Sequence, residues 1–281
     1  MKDNTVFSRT MPELPDVYIL AKSMNEVLVS RPITDVAVNQ PKCLNMTPRK
    51  FSNRIKDTTF ESIYQRGKWI IADMNSKWSI AFNLGMGGEI RIFGKDKEPD
   101  SKIHRVVLNL NKGDWLGINH WWFGHVHLVL KKDFSAHPQL SKLGPEPLDT
   151  SLTVTKLKSM LEKKRGRIKS YLLDQSFIAG IGNVYVQDIL WFARLHPNRQ
   201  ANTLSDSEIE KLHWSIQHVL REGIRYKGGP REQDIWGNEG TYIKHRKIGY
   251  RTGEPCPECD SIIEELRIGS TTSYICPKCQ V

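Results

Sequence analysis

Apolar residues follow two different spacings in the first part of the chain. Over residues 17–29 they recur at helical intervals after Pro15 and Asp16, two helix-start signals, and this predicts an amphipathic helix. From residue 33 to about 132, short β-branched and aromatic runs alternate with turn formers such as Asn75 and Ser76. The predicted fold of this part is therefore a leading helix followed by an antiparallel β-sandwich.

The rest of the chain returns to helical spacing and ends in a strand-rich module. Helices are predicted over residues 153–164, 168–175, 183–194 and 205–225, and strand-like runs reappear from about 242. A Pro-rich stretch before them marks a domain boundary. The predicted organisation is α+β and multidomain: a polar leader (1–10), a β-sandwich domain (11–134), a linker (135–150), a helical domain (151–241) and a C-terminal module (242–281).

The charge balance narrows the class of partner. The chain carries 41 Lys and Arg against 31 Asp and Glu, a net charge of +10, which favours a polyanion: nucleic acid first, an anionic membrane second. No run of eighteen apolar residues occurs, and the first ten residues lack the apolar core of a signal peptide. A soluble intracellular protein with no membrane partner is expected, in the cytoplasm and, in a prokaryote, at the nucleoid.

Four of the five cysteines have the spacing of a zinc site. Cys256, Cys259, Cys276 and Cys279 form C-x2-C-x16-C-x2-C, which suits four thiolates around one tetrahedral Zn²⁺. The intervening residues suffice for a β-hairpin with strands at Ile262–Ile263 and 273–275. A closed shell of four sulfurs leaves no open position, so the zinc is expected to be structural. Redox pairs or free thiols are the alternative, and Cys43 is interpreted as a lone thiol.

A glycine turn precedes the third predicted helix. Gly180-Ile181-Gly182-Asn183 allows close approach of the backbone, with Asn183 as the predicted N-cap, and helix N-termini bind phosphates. A basic run over residues 162–169 lies shortly before it. An ordinary turn and a solvated basic face are the simpler interpretations, whereas the two together favour binding to a DNA or RNA backbone.

The segment Met11–Asp16, which reads MPELPD, contains the strongest candidate chemistry. A proline at an amino terminus is a secondary amine that can attack an electrophilic carbon and form an iminium intermediate, whereas an internal proline is an amide. The catalytic interpretation of Pro12 thus requires a start at Met11 or removal of the ten preceding residues. The alternative is a rigid turn before a helix.

Seven segments together resemble the formamidopyrimidine-DNA glycosylase / endonuclease VIII family of base-excision repair enzymes. They occur in the family's order over residues 11–281: MPELPD, RGKWI, NLGMGG, FG, LGPEPL, LLDQSFIAGIGNVYVQDIL followed by HPNR, and GEPCPEC with YICPKCQ. The resemblance implies an N-terminal β-sandwich with a leading helix, a helix–two-turn–helix domain and a zinc β-hairpin finger. It also implies damaged double-stranded DNA as partner, a base flipped into a pocket, no small-molecule cofactor and a monomer.

The resemblance assigns roles to individual residues. Pro12 would be the nucleophile at C1′, Glu13 the acid/base group, and Lys68 the residue that contacts the phosphate and assists β-elimination. From the residues alone, Lys68 is as well explained as a surface lysine, and Met86 and Phe123 as core residues. The DNA-binding residues it implies are Met86 and Phe123 in the gap left by the flipped base, Trp121 in place of an inserted arginine, and Lys164, Lys169 and Asn183 at phosphates.

Some departures from the family pattern leave competing functions open. Thr271 stands where the finger arginine is expected, with Arg267 nearby, and Asn83 stands where histidine is common. The leading hypothesis is a bifunctional DNA glycosylase/AP lyase for oxidised or ring-opened bases that acts by β-elimination, with δ-elimination in doubt because of Thr271. The alternatives are a catalytically weakened binder of damaged DNA and an unrelated zinc-ribbon RNA-binding protein. The excised base is not identified.

Overall fold

The computed structural model of the protein describes residues 11–120, 122–229 and 233–281, so the predicted leader lies outside the described residues. Helix α1 (Leu14–Leu28) confirms the leading helix, although it begins before residue 17. Its start is fixed by Pro15 and by Asp16, whose Oδ2 accepts the backbone N–H of Glu13 at 2.8 Å. Its apolar face is buried against the N-terminal core.

In the described residues, eight strands of the N-terminal domain form two antiparallel sheets. The strands are β1 (Ile33–Val38), β2 (Phe60–Arg66), β3 (Trp69–Met74), β4 (Trp78–Asn83), β5 (Glu89–Phe93), β6 (Val106–Leu110), β7 (Trp115–Asn119) and β8 (His125–Leu130). One sheet has the order β2-β3-β4-β8 and the other β1-β6-β7-β5. Side chains such as Ile80 and Phe82 from one sheet and Leu116 and Ile118 from the other share one core. The predicted sandwich is confirmed.

Helix α2 (Pro48–Ile55) interrupts the strands and was not predicted. Its sequence carries a start signal, since the Lys50 N–H donates to Thr47 Oγ1 at 3.4 Å and Pro48 follows the cap. Phe51 and Ile55, one turn apart, are fully buried. The helix is only eight residues long and otherwise polar, so two apolar residues are too few for a periodic pattern.

The helical domain contains the four predicted helices. They are α3 (Val154–Leu161), α4 (Ile168–Leu173), α5 (Tyr185–Phe192) and α6 (Asp206–Arg225). Thr153 caps α3, and Ser205 caps α6 in a capping box with Glu208. The predicted ends of the first three helices are too late, because α3 and α4 stop before a basic, glycine-containing stretch and before Asp174.

The C-terminal module contains the predicted β-hairpin, with a different first strand. Strands β9 (Glu264–Ile268) and β10 (Thr271–Ile275) pair in antiparallel register. The predicted strand at Ile262–Ile263 is wrong, because the Ile263 N–H donates to Glu254 O at 2.9 Å instead of pairing with β10. These residues therefore brace the first cysteine turn.

The predicted linker, residues 135–150, is packed against the sandwich. Glu146 Oε1 accepts hydrogen bonds from Arg66 Nη1 at 2.5 Å and from the Gly67 N–H at 2.6 Å. Leu140 is buried in a small cluster with Trp69. The stretch thus holds the end of β2 in place, beside the start of β3.

A segment after α6 returns to the N-terminal domain. Ile235 is fully buried in the sandwich core, its N–H donates to Ser23 Oγ at 3.1 Å, and its carbonyl accepts from the Ile92 N–H at 3.1 Å. The helical domain thus contributes a core residue to the sandwich and covers its β5 edge. Within the described ranges, no helix is both long and apolar enough to span a bilayer.

Candidate active site

The Glu13 carboxylate binds the N-terminus of α5 across the boundary between the two domains. It accepts the N–H groups of Gly182 at 2.7 Å, Val184 at 2.8 Å and Tyr185 at 3.3 Å. The first amides of a helix lack partners inside the helix and favour a negative charge. The prediction that these amides are free for a phosphate is therefore wrong, since Glu13 occupies them. The predicted N-cap is also wrong, because Val184 rather than Asn183 holds that position.

Gly182 allows a carboxylate and an amine to reach the same point of the backbone. A Cβ atom at this residue would lie 2.3 Å from Glu13 Cδ and 2.6 Å from Lys68 Nζ. Such distances are shorter than packed atoms allow, so any side chain here would displace one of the two groups. The structure thus brings Glu13 and Lys68, two of the predicted catalytic residues, together over Gly182.

Burial changes the acid–base properties of both groups. It raises the pKa of Glu13 to about 7, while the Lys68 charge and the α5 amides oppose that rise. It also lowers the pKa of Lys68, while the charges of Glu13 and Asp16 oppose that change. A carboxylic acid with a pKa near neutral pH can both donate and accept a proton. The pair is therefore suited to proton transfer.

Pro12 is buried beside this pair. A small pocket at its ring is bounded by Met11, Lys68, Asn83 and Gly85. The backbone that follows Pro12 is anchored by the Leu14 N–H, which donates to Gly180 O at 3.0 Å. All three predicted catalytic residues, Pro12, Glu13 and Lys68, thus lie at one place between the two domains.

Asp16 supports the site and was not predicted as part of it. Besides the Glu13 N–H, it accepts the Gly229 N–H at 3.0 Å and the Tyr185 hydroxyl at 3.2 Å. Burial raises its pKa, against the effect of these hydrogen bonds. Its sequence signal was its place three residues after Glu13, where a helix-capping carboxylate is common.

A cavity of about 460 Å³ opens beside the pair. Its walls include Lys68, Asn83, Phe123, His125 and Lys142. This volume lies within the range of ligand sites, and the two lysines give the walls positive charge. The cavity can accommodate an anionic ligand of nucleotide size next to Lys68.

The cysteine cluster has the geometry of a tetrahedral zinc site. The sulfur atoms of Cys256, Cys259, Cys276 and Cys279 all lie within 4.8 Å of one another. Thiolates at about 2.3 Å from Zn²⁺ in a tetrahedron are about 3.8 Å apart. The observed Cys256–Cys279 separation of 3.9 Å matches this value, so the cluster fits one structural zinc ion.

Three family sequence models match the chain in succession. Residues 11–120 match the formamidopyrimidine-DNA glycosylase N-terminal domain, 143–234 its H2TH domain, and 253–281 the zinc finger found in FPG and IleRS. A formamidopyrimidine-DNA glycosylase of Chloroflexus aurantiacus is 36% identical over 275 residues, which cover 96% of this chain and 98% of that protein. The chain belongs to the formamidopyrimidine-DNA glycosylase family. The predicted family, fold and enzyme class, a DNA glycosylase of DNA repair, are confirmed.

Other members of the family are similar over the same length. The formamidopyrimidine-DNA glycosylase of Desulfitobacterium hafniense is 34% identical over 274 residues, covering 96% of this chain and all of that protein. Lactococcus lactis FPG in complex with DNA containing Fapy-dG has a TM-score of 0.89 and 26% identity, with 96% of this chain and 99% of that one covered. Its complex with DNA containing an abasic site has a TM-score of 0.88, with the same identity and coverage.

Two predicted DNA-contacting residues of this glycosylase lie on adjoining loops at the cavity. Phe123 is 74% exposed, so its interpretation as a core residue is wrong. Met86 is half-buried, and its N–H donates to Trp122 O at 2.9 Å. Trp121 lies outside the described residues. The roles of all three at DNA stay predictions.

The predicted phosphate contacts of the glycosylase differ in accessibility. Lys164 is half-buried, with Nζ 5.4 Å from the centroid of the Tyr171 ring, and Asn183 is also half-buried. Lys169 is fully buried, and its Nζ donates to Thr272 O at 2.6 Å and to Ser273 Oγ at 2.7 Å. The predicted phosphate contact of Lys169 is therefore wrong for this arrangement, because the ammonium joins α4 to the finger.

The finger hairpin shows what replaces the expected arginine. Thr271 begins β10, on the same face as Ser273 and thus toward Lys169. Arg267 pairs with Thr272 in the hairpin register, and neighbouring residues of a strand point to opposite faces. Arg267 therefore projects from the face opposite to Thr271 and does not take the place of the missing arginine.

Proposed function

We propose that this protein excises oxidised or ring-opened bases from double-stranded DNA with the Pro12 amine as nucleophile, and then cuts the strand by β-elimination. The convergence of Glu13 and Lys68 beside Pro12 carries this proposal. The names of its relatives and the Fapy-dG and abasic-site complexes of Lactococcus lactis FPG support the choice of DNA substrate.

The first step replaces one bond at the sugar by another. The nitrogen lone pair of Pro12 forms a bond to C1′, and the C1′–N bond to the damaged base breaks, with its electron pair and a proton leaving on the base. Opening of the sugar ring then gives an iminium ion between Pro12 and C1′. A secondary amine is required, because an amide nitrogen has no free lone pair for the attack.

Glu13 and Lys68 serve the steps that follow. Glu13, with a pKa raised to about 7 by burial, protonates the ring oxygen as the sugar opens and its carboxylate then removes a proton from C2′. The C3′–O bond breaks and the phosphate leaves with the electron pair. Lys68 faces the cavity and stabilises that phosphate. Thr271 carries no charge, so β-elimination is the proposed end of the reaction.

The start of the active polypeptide decides between enzyme and binder. The match to the family's N-terminal domain begins at Met11, which supports Pro12 as the amino terminus of the active form. A chain that keeps the residues before Pro12 would hold an amide at this position and act as a binder of damaged DNA. The site is complete within one chain, so the proposed active unit is a monomer.

Borohydride trapping tests the proposal. Duplex DNA with an abasic site is incubated with three proteins: the full chain, a form that starts at Pro12, and that form acetylated at its amino terminus. Only the second should give a covalent adduct, with mass spectrometry placing the link on Pro12. Absence of an adduct from the Pro12-start form that still binds this DNA would refute the enzyme mechanism. A link on Lys68 would refute the nucleophile.

A further inference from the structure

Two adjacent aromatic residues project from the loop between β7 and β8. Trp122 is 63% exposed and Phe123 is 74% exposed, the highest values among the exposed aromatic residues of the described chain. Large aromatic side chains normally bury most of their surface, and neighbouring exposed ones mark binding sites. Trp122 has no role in the chemistry proposed above.

The loop is held in this shape by its neighbours. The Trp122 carbonyl accepts the Met86 N–H at 2.9 Å, and a Cβ atom at Gly85 would lie 2.1 Å from that carbonyl oxygen. Beneath it, the His120 ring lies so close to Gly124 that a Cβ there would be 2.2 Å from it. Phe123 has φ +59°, a left-handed conformation unfavourable for an aromatic residue. Packing thus maintains the exposure of both rings, and backbone strain accompanies it.

The loop stands at the edge of the cavity beside the catalytic groups. Phe123 lines that cavity together with Lys68. Exposed rings next to a positively charged cleft are the arrangement by which proteins stack the bases of nucleic acids. Between Asn119 and Gly124 the sequence has no lysine or arginine, so this loop has no long cationic side chain for hydrogen bonds to base edges.

We propose that Trp122 stacks on the unpaired base opposite the lesion, so that recognition depends little on which base stands there. This inference rests on the proposed function, since it takes the DNA to lie along this cavity. Stacking uses the face that every base has, whereas discrimination between bases requires hydrogen bonds to their edges. The substrate class is thus a damaged base opposite any of the four bases.

A binding measurement that needs no catalysis tests this inference. The probe is a duplex with a tetrahydrofuran abasic analogue and 2-aminopurine opposite it, titrated with the full chain and with the Pro12-start form. Saturating protein should quench the 2-aminopurine fluorescence by stacking. Trp122→Phe should retain most of the quenching and Trp122→Ala should lose most of it. The matched control is Trp214→Ala, which removes a 52% exposed tryptophan outside the cavity and should change nothing.

Affinity gives a second readout. Dissociation constants with A, C, G or T opposite the analogue should agree within about 3-fold, and Trp122→Ala should weaken all four by a similar factor of about 5- to 150-fold, the equivalent of about 1–3 kcal/mol for one stacked base. Unchanged quenching in Trp122→Ala, or a preference above about 10-fold for one opposite base, would overturn the inference. Because the analogue cannot be cut, the result is independent of adduct formation at Pro12.

Discussion

Glu13→Gln should remove a pH dependence of stability that the native protein has. Burial raises the pKa of Glu13 from its ordinary value of 4.5 to about 7. The folded protein therefore holds a proton that the unfolded chain has already lost between these two values. Its contribution to stability is largest below pH 4.5 and decreases as the pH rises to 7, because folding must then bury a charged carboxylate or bind a proton.

The size of this effect follows from the pKa difference. One pKa unit corresponds to about 1.4 kcal/mol, so the change from 4.5 to about 7 amounts to about 3 kcal/mol of unfolding free energy over the whole window. Most of it, about 2 kcal/mol, falls between pH 5 and pH 8. Relative to Glu13→Gln, the native protein should lose this amount of stability over that interval.

Urea denaturation at half-unit steps from pH 5 to pH 8 measures the difference. The quantity compared is the change in unfolding free energy with pH for the native chain and for Glu13→Gln. Effects of pH on the zinc site cancel, since both proteins contain it. Glu264→Gln, which neutralises an exposed carboxylate on β9, is the control and should follow the native curve. Parallel curves for the native chain and Glu13→Gln would show that the carboxylate is not buried as described.

Three further substitutions test other parts of the site. Gly182→Ala should lower the excision rate by about 100-fold with an unchanged circular dichroism spectrum, because its Cβ displaces Glu13 or Lys68; an unchanged rate would contradict the geometry. Cys276→Ser should abolish stoichiometric zinc by metal analysis and weaken DNA binding, and full zinc occupancy would contradict the four-thiolate site. Lys169→Met should cost about 1–3 kcal/mol in urea denaturation, because Ser273 Oγ and its neighbouring carbonyl lose their buried partner; unaltered stability would argue against the contact.

Local patterns in the sequence were enough to predict most elements and the zinc ligands. Helical and alternating spacings persist over many residues in α6 and in the sandwich strands, and the spacing of the cysteines alone specifies their common ion. Helix α2 escaped because its signal consists of one cap and two apolar residues.

Contacts between distant residues were beyond the sequence patterns. Glu13 and Gly182 are 169 residues apart, and neither periodicity nor composition reveals that one binds the other. Lysine is among the residues least often buried, so burial of Lys169 depends on a partner that only the folded finger supplies. The predictions therefore identified the catalytic residues through the family resemblance, but not the helix end that holds Glu13.

The docking of Ile235 in the sandwich core has a consequence for how the protein meets DNA. Opening the cleft by a hinge after α6 would withdraw a fully buried isoleucine, at about 2 kcal/mol, and would also separate Glu13 from its amides on α5. We therefore expect the two lobes to behave as one cooperative folding unit, visible as a single calorimetric transition rather than two. A clamp of this stiffness leaves the bending to the double helix.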